Sequence, residues 1–226
     1  DGWAFAKDVD SVAVFGTQAS NLNWQQVSLP HTANIEPIQK TAQQWQGTAF
    51  YRKSFTIPAA DKGKHIALKF EAAMQVADVY LNGKHIFRHK GGYLPFYVDI
   101  TEEARYGEEN TLLVKLNNED NPYIAPGKPL ADLDFNYYSG IYRNAYLITK
   151  DKLHISDAVA ANRMAGGGVL LHYESVTNDA ATLQVQTELK NDHVEQREAQ
   201  VRSSLTDSTG NSVAEVSSEK KVVPPG

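Results

Sequence analysis

Four carboxylates crowd one irregular stretch of this chain: Glu119 and Asp120, then Asp132 and Asp134, all inside residues 117–140 (NNEDNPYIAPGKPLADLDFNYYSG). Glycoside hydrolysis needs two carboxyl groups about 5–10 Å apart across a sugar, one of them an acid. A single carboxylate can still hold sugar hydroxyls through charge-assisted hydrogen bonds. Asp132 and Asp134, two positions apart, are also a candidate pair for a hard cation, against the plainer reading of two solvated loop carboxylates. Spacing alone gives none of the four a partner, so the stretch reads as a binding loop rather than a complete acid–nucleophile pair.

Other chemistries find no motif. The seven histidines are scattered, with no HxH or HExxH spacing for zinc. The chain has no Cys, which removes disulfides, thiolate nucleophiles and Cys-based metal sites. No Ser is framed as GxSxG. The glycines of 165–168 do not join a strand to a helix as a phosphate cradle requires. The expectation is therefore no catalytic residue, no metal and no cofactor in this chain. Aromatics are better placed: Trp24, Trp45, Tyr93, Phe96, Tyr137 and Tyr138 sit at strand ends and loops, where rings either stack on apolar sugar faces or fill a core.

These residues must be positioned by strands. The pattern 76–100 (VADVYLNGKHIFRHKGGYLPFYVDI) is the organising stretch. Apolar residues alternate up to Asn82-Gly83, a dipeptide that takes the two positive φ angles of a type I′ turn, and resume at Ile86 and Phe87. Residues 91–96 form a Gly-, Pro- and aromatic-rich loop, and 97–100 return to a strand. Further strands are read at 48–57 before Pro58, at 65–70, 110–116 and 140–148, with a helical turn at 101–107 capped by Thr101. Residues 31–46 are a polar, Gln-rich loop, long enough to imply a site or an interface.

Composition changes after residue 152: there is no Trp or Phe beyond it, and the strands (155–160, 169–177, 182–189, 199–206, 213–221) are plainer, with turn signals between them. We expect an all-β chain of two domains: a β-sandwich over 1–152, and over 153–226 the beginning of an immunoglobulin-like sandwich, truncated because about five strands stand where about seven are needed. Net charge is −5 over 226 residues with no basic stripe, which argues against nucleic acid and anionic membrane as partners. No apolar run approaches the ~20 residues of a membrane helix. The first residue is Asp1 rather than Met, as in a segment trimmed of a leader.

Several segments in order carry a resemblance: Val27-Ser28-Leu29-Pro30-His31-Thr32; Trp45-Gln46-Gly47-Thr48-Ala49-Phe50-Tyr51-Arg52-Lys53; Val79-Tyr80-Leu81-Asn82-Gly83; Gly91-Gly92-Tyr93-Leu94-Pro95-Phe96 with Asp99-Ile100-Thr101; and Ser139-Gly140-Ile141-Tyr142-Arg143-Asn144. Together they resemble the N-terminal sugar-binding domain of glycoside hydrolase family 2, which includes β-galactosidases, β-glucuronidases and β-mannosidases. The resemblance implies a jelly-roll β-sandwich for 1–152 that is not itself the catalyst. The family's two catalytic Glu lie on a downstream TIM barrel of ~250 residues. Glu119 is therefore not the acid/base.

The resemblance also implies site residues. In the family's galactosidases and glucuronidases, an Asp six residues before the Gly of the Gly-Ile-Tyr-Arg motif touches sugar hydroxyls or a nearby ion; here it is Asp134. An Asn three residues before the Gly that opens the Tyr-containing strand corresponds here to Gln44, a departure that leaves its role and the glycan open. The leading expectation is the non-catalytic N-terminal part of a retaining exo-glycosidase, a β-galactosidase before a β-glucuronidase or β-mannosidase, with Asp134 and Gln44 contacting carbohydrate. The expected partners are the downstream barrel, a carbohydrate substrate and, through the sandwich faces, a second copy in a homo-oligomer. The parent is expected to be periplasmic or secreted, with the cytoplasm left open. The competing reading is a free-standing carbohydrate-binding module acting through Tyr93 and Phe96.

Overall fold

In a computed structural model, residues 1–15, 22–35, 44–135 and 137–226 are described. Part of the 31–46 loop, residues 36–43, thus lies outside the described residues. The chain is all-β and divides into two compact units: 1–62 with 66–148, and 63–65 with 149–226.

The first unit is a two-sheet sandwich. Strands β1 (Trp3–Lys7), β2 (Gln25–Val27), β3 (Thr48–Thr56), β5 (Val76–Leu81), β6 (Lys84–Lys90) and β8 (Glu109–Asn117) form a six-stranded sheet in the order β2-β1-β3-β8-β5-β6. Strands β4 (His65–Phe70), β7 (Phe96–Asp99) and β9 (Ala145–Lys150) form a three-stranded sheet in the order β7-β4-β9. Side chains alternate between sheet faces with period two. Tyr51, Val79, Leu81, Leu112, Val114 and Leu116 from one sheet therefore share a core with Ile66, Leu68, Phe70, Phe96 and Val98 from the other. Burying each large side chain contributes about 1.5–3 kcal/mol relative to exposure. The opposite face of the larger sheet is also covered: Phe50 and Leu113 pack with Val14 of the short helix α1 (Ser11–Phe15) and with Trp24.

The 76–90 hairpin forms as its Asn-Gly requires: Asn82 has φ 53° and Gly83 φ 84°. Asn82 also ties the turn inward, its Oδ1 accepting from Thr111 N–H at 3.0 Å and its Nδ2 donating to the buried Asn110 Oδ1 at 3.0 Å. The helical turn expected at 101–107 is limited to one hydrogen-bonded turn over 101–103, and Thr101 does not cap it. Ala104 N–H donates to Ile100 C=O, but the Thr101 hydroxyl is drawn to Asp99 Oδ1 and to the backbone of Ile66, so it caps nothing and the chain leaves as a bend.

The second unit contains β10 (Leu153–Ile155), β11 (Val169–Val176), β12 (Ala181–Thr187), β13 (Leu189–Asn191), β14 (Arg197–Ala199), β15 (Arg202–Thr206), β16 (Ser212–Ser217) and β17 (Lys221–Val223). They pair as four two-stranded ribbons: β10-β13, β11-β12, β14-β17 and β15-β16. The strand expected at 155–160 stops at Ile155, because Asp157 accepts hydrogen bonds from the N–H groups of Val159 and Ala160 and starts a short helix, α2 (Ala158–Ala161). Leu171, Leu183 and Val185 of one ribbon and Leu205 and Val216 of another line an open cleft of about 530 Å³.

Candidate functional site

The long 117–140 segment is irregular, yet it is fastened to the first unit at both ends. At its start, the buried Asn118 Oδ1 accepts from Gly47 N–H at 2.8 Å and its Nδ2 donates to Trp45 C=O at 3.0 Å. Asp120 Oδ1 accepts from Gln46 Nε2 at 2.6 Å and from Leu130 N–H at 2.8 Å. These bonds satisfy loop backbone that no sheet partner reaches.

At its end, Gly140 approaches other backbone too closely for any side chain. A Cβ there would lie 2.5 Å from the Tyr51 hydroxyl, 2.6 Å from His31 O and 2.8 Å from Ala33 N, and its φ is +97°. The neighbouring carbonyls of Ile141 and Ser139 accept from His31 N–H and Ala33 N–H. The VSLPHT and SGIYRN motifs are thus locked to each other, with His31 Nδ1 against the Tyr51 hydroxyl at 2.9 Å. Burial pushes the Tyr51 phenol well above its usual range, so it stays protonated.

Between these ends a second apolar cluster of Met74, Leu130, Leu133 and Tyr137 supports the segment, with Tyr142 packed against it. Tyr137 donates its hydroxyl to Gln75 Oε1 at 2.8 Å, and Gln75 Nε2 donates to Glu119 C=O at 2.6 Å. Tyr142 donates its hydroxyl to Gly92 C=O, so the 91–96 loop joins the same platform. Burial raises the Tyr137 phenol far above its ordinary value, so it acts as a donor. A small cavity beside Gln75, Asn118, Asp120 and Tyr137, about 10 Å³, has room for about one water and none for a sugar ring.

The residues expected at the site divide on this platform. Asp134 is exposed, and among the described residues its carboxylate has no hydrogen-bond or ion-pair partner. Gln44 is half-buried and its Oε1 accepts from Tyr137 N–H at 3.0 Å, which spends one of its polar atoms on holding the segment. Asp132 is exposed on a 3-10 turn, Leu130–Asp132. Asp120 and Glu119 are occupied in fastening the loop.

The aromatics divide as well. Phe96 is buried and stacks on Phe70 at 4.7 Å and on His89 at 4.4 Å, so only Tyr93 of the Tyr93–Phe96 loop offers its ring to solvent. Tyr137 is buried, and Trp45 donates Nε1–H to Asp8 Oδ1 at 3.1 Å. Arg52 lies over Trp24 at 4.3 Å. Tyr138, Phe135 and Tyr123 stay exposed beside Asp134 in sequence or in the same segment.

Sequence reasoning did not single out Gln75 and Asn118, although both are at most 3% exposed and both orient the platform. A polar residue directly after the apolar Ala72-Ala73-Met74 was the available signal for Gln75.

Exposed carboxylates and aromatic edges on one segment of a two-sheet β-sandwich are a surface that can contact sugar hydroxyls and apolar sugar faces. The family model "Glycosyl hydrolases family 2, sugar binding domain" matches residues 2–151. The chain belongs to that family. It is similar to a beta-glucuronidase of Formosa agariphila, 33% identical over 92% of this chain and 23% of the relative. It is also similar to a beta-galactosidase of Thermoanaerobacter pseudethanolicus, 37% identical over 60% of this chain and 18% of the relative. Among solved structures, a beta-glucuronidase from glycoside hydrolase family 2 aligns over 100% of this chain and 24% of its own, with TM-score 0.83 and 32% identity. A putative beta-galactosidase from Bacteroides fragilis aligns over 99% and 32%, with TM-score 0.81 and 28% identity. The chain thus spans about a quarter of the length of the first of these relatives.

Proposed function

We propose that residues 1–152 are the sugar-binding, non-catalytic domain of a family-2 exo-glycosidase, followed over 153–226 by an immunoglobulin-like sandwich. The Asp134 carboxylate reaches the substrate held by a downstream (β/α) barrel. The observation that carries this reading is the exposed Asp134 carboxylate, without a partner among the described residues, on a segment whose two flanks are pinned by Asn118 and Gly140. A lone carboxylate on a rigid support suits hydroxyl recognition, whereas a stable monosaccharide complex needs contacts on more than one side. The segment by itself is then inactive.

The substrate is a terminal β-galactoside or β-glucuronide. The sequence motifs led to the galactoside first. Among the matches that cover most of this chain, a relative and a solved structure carry the glucuronidase name and another solved structure carries the galactosidase name, which supports the two readings equally. Assay of the full-length enzyme on nitrophenyl β-galactoside, β-glucuronide and β-mannoside separates them: turnover of one of the first two supports the proposal, and turnover of none overturns it.

A further inference from the structure

In the second unit, which takes in 63–65, two imidazoles and a carboxylate converge although no sequence motif joins them. His65, His154 and Asp192 each offer one nitrogen or oxygen, and these atoms lie within 4.8 Å of one another. Both histidine side chains are 7% exposed, and the rings stack with centroids 4.9 Å apart.

The carboxylate is held from one side only. Asp192 Oδ1 meets the Lys190 ammonium at 2.9 Å, and the backbone N–H of Asp192 donates to Lys152 C=O at 2.7 Å. Asp192 Oδ2 is different: it is buried, with His65 Nδ1 at 3.2 Å and His154 Nδ1 at 3.9 Å, yet it receives no hydrogen bond. A buried carboxylate oxygen left without a donor is costly. His154 Nδ1–H donates to Asp151 C=O at 2.7 Å, which leaves the lone pair on Nε2. A backbone carbonyl fixing the tautomer of a ligating imidazole is the usual outer-shell arrangement at metal sites.

We propose that His65, His154 and Asp192 bind a divalent transition metal of the zinc class. Two imidazoles and one carboxylate supply three of four tetrahedral positions, and water supplies the fourth. The metal gives Asp192 Oδ2 the positive partner it lacks. It also ties His65, His154 of β10 and Asp192, which directly follows β13, to one centre within the second unit.

The test is calorimetric titration of the chain with Zn²⁺, with Co²⁺ as a spectroscopic probe; without Cys, thiolate bands cannot obscure the visible absorption. The expected result is one equivalent bound, a visible Co²⁺ spectrum of a low-coordinate N/O site, and affinity reduced at least tenfold in His154→Gln and in Asp192→Asn. Because either variant could fail to fold, imidazole proton resonances of the unaltered chain are followed on Zn²⁺ addition. Those of His65 and His154 should shift while those of His31 and His172 stay. No stoichiometric binding, wild-type affinity in folded variants, or shifts at His172 without His65 and His154 would overturn the proposal.

Discussion

The Tyr137 hydroxyl donates to Gln75 Oε1 at 2.8 Å across 62 residues of sequence, with both side chains buried. Tyr137→Phe removes the donor and leaves a buried amide oxygen unpaired, which costs about 1–3 kcal/mol. Urea unfolding of the chain should show a midpoint lowered accordingly. An unchanged midpoint would mean that this bond does not hold the platform.

Gly140→Ala meets two obstacles at once, a φ of +97° and backbone atoms of His31 and Ala33 within 2.8 Å of the new methyl. Neither backbone can yield without breaking the bond from His31 N–H to Ile141 C=O or from Ala33 N–H to Ser139 C=O. The expected loss is roughly 2 kcal/mol or more. By contrast, Gly210→Ala, with nothing near the added methyl, should cost only the backbone strain of its φ of +89°. Equal thermal shifts for the two would contradict this packing.

Asp78 is 6% exposed and receives Arg88 Nε at 2.6 Å, Arg88 Nη2 at 2.9 Å and His85 Nε2 at 2.9 Å. Burial pushes its carboxyl up, but the hydrogen bonds from Arg88 and His85, with their charges, outweigh that and hold it below the ordinary value. A depressed folded-state value contributes stability above the unfolded-state pKa of about 3.9, and that contribution is lost as pH falls through the lower folded-state value. Asp78→Asn should therefore be less stable than the unaltered chain by about 1–3 kcal/mol at pH 7, a gap that narrows in acid below pH ~4. A gap constant between pH 7 and pH 3 would rule out the ionised carboxylate as its source.

Much of the first unit was legible because its signals are local. Asn82-Gly83 names its turn, and the alternation through 65–70 and 110–116 names the buried faces of β4 and β8. Thr101 misled because its hydroxyl bonds Asp99 Oδ1, two residues back, and the Ile66 backbone on the neighbouring strand β4 instead of the N–H groups ahead of it. The stretch 155–160 reads as a strand until Asp157 bonds the backbone ahead of it. Gln75, Asn118 and the trio of His65, His154 and Asp192 were invisible for one reason: each is defined by groups brought from distant segments. Asp134 was reached through motif order, and its exposure required the fold.

The most direct test is Asp134→Ala in the full-length enzyme, with kcat/KM measured beside thermal unfolding. Asp134 is exposed, so stability should be unchanged. The account predicts kcat/KM lowered more than tenfold, about 1.4 kcal/mol or more of transition-state binding. Wild-type kcat/KM in the folded variant would contradict it.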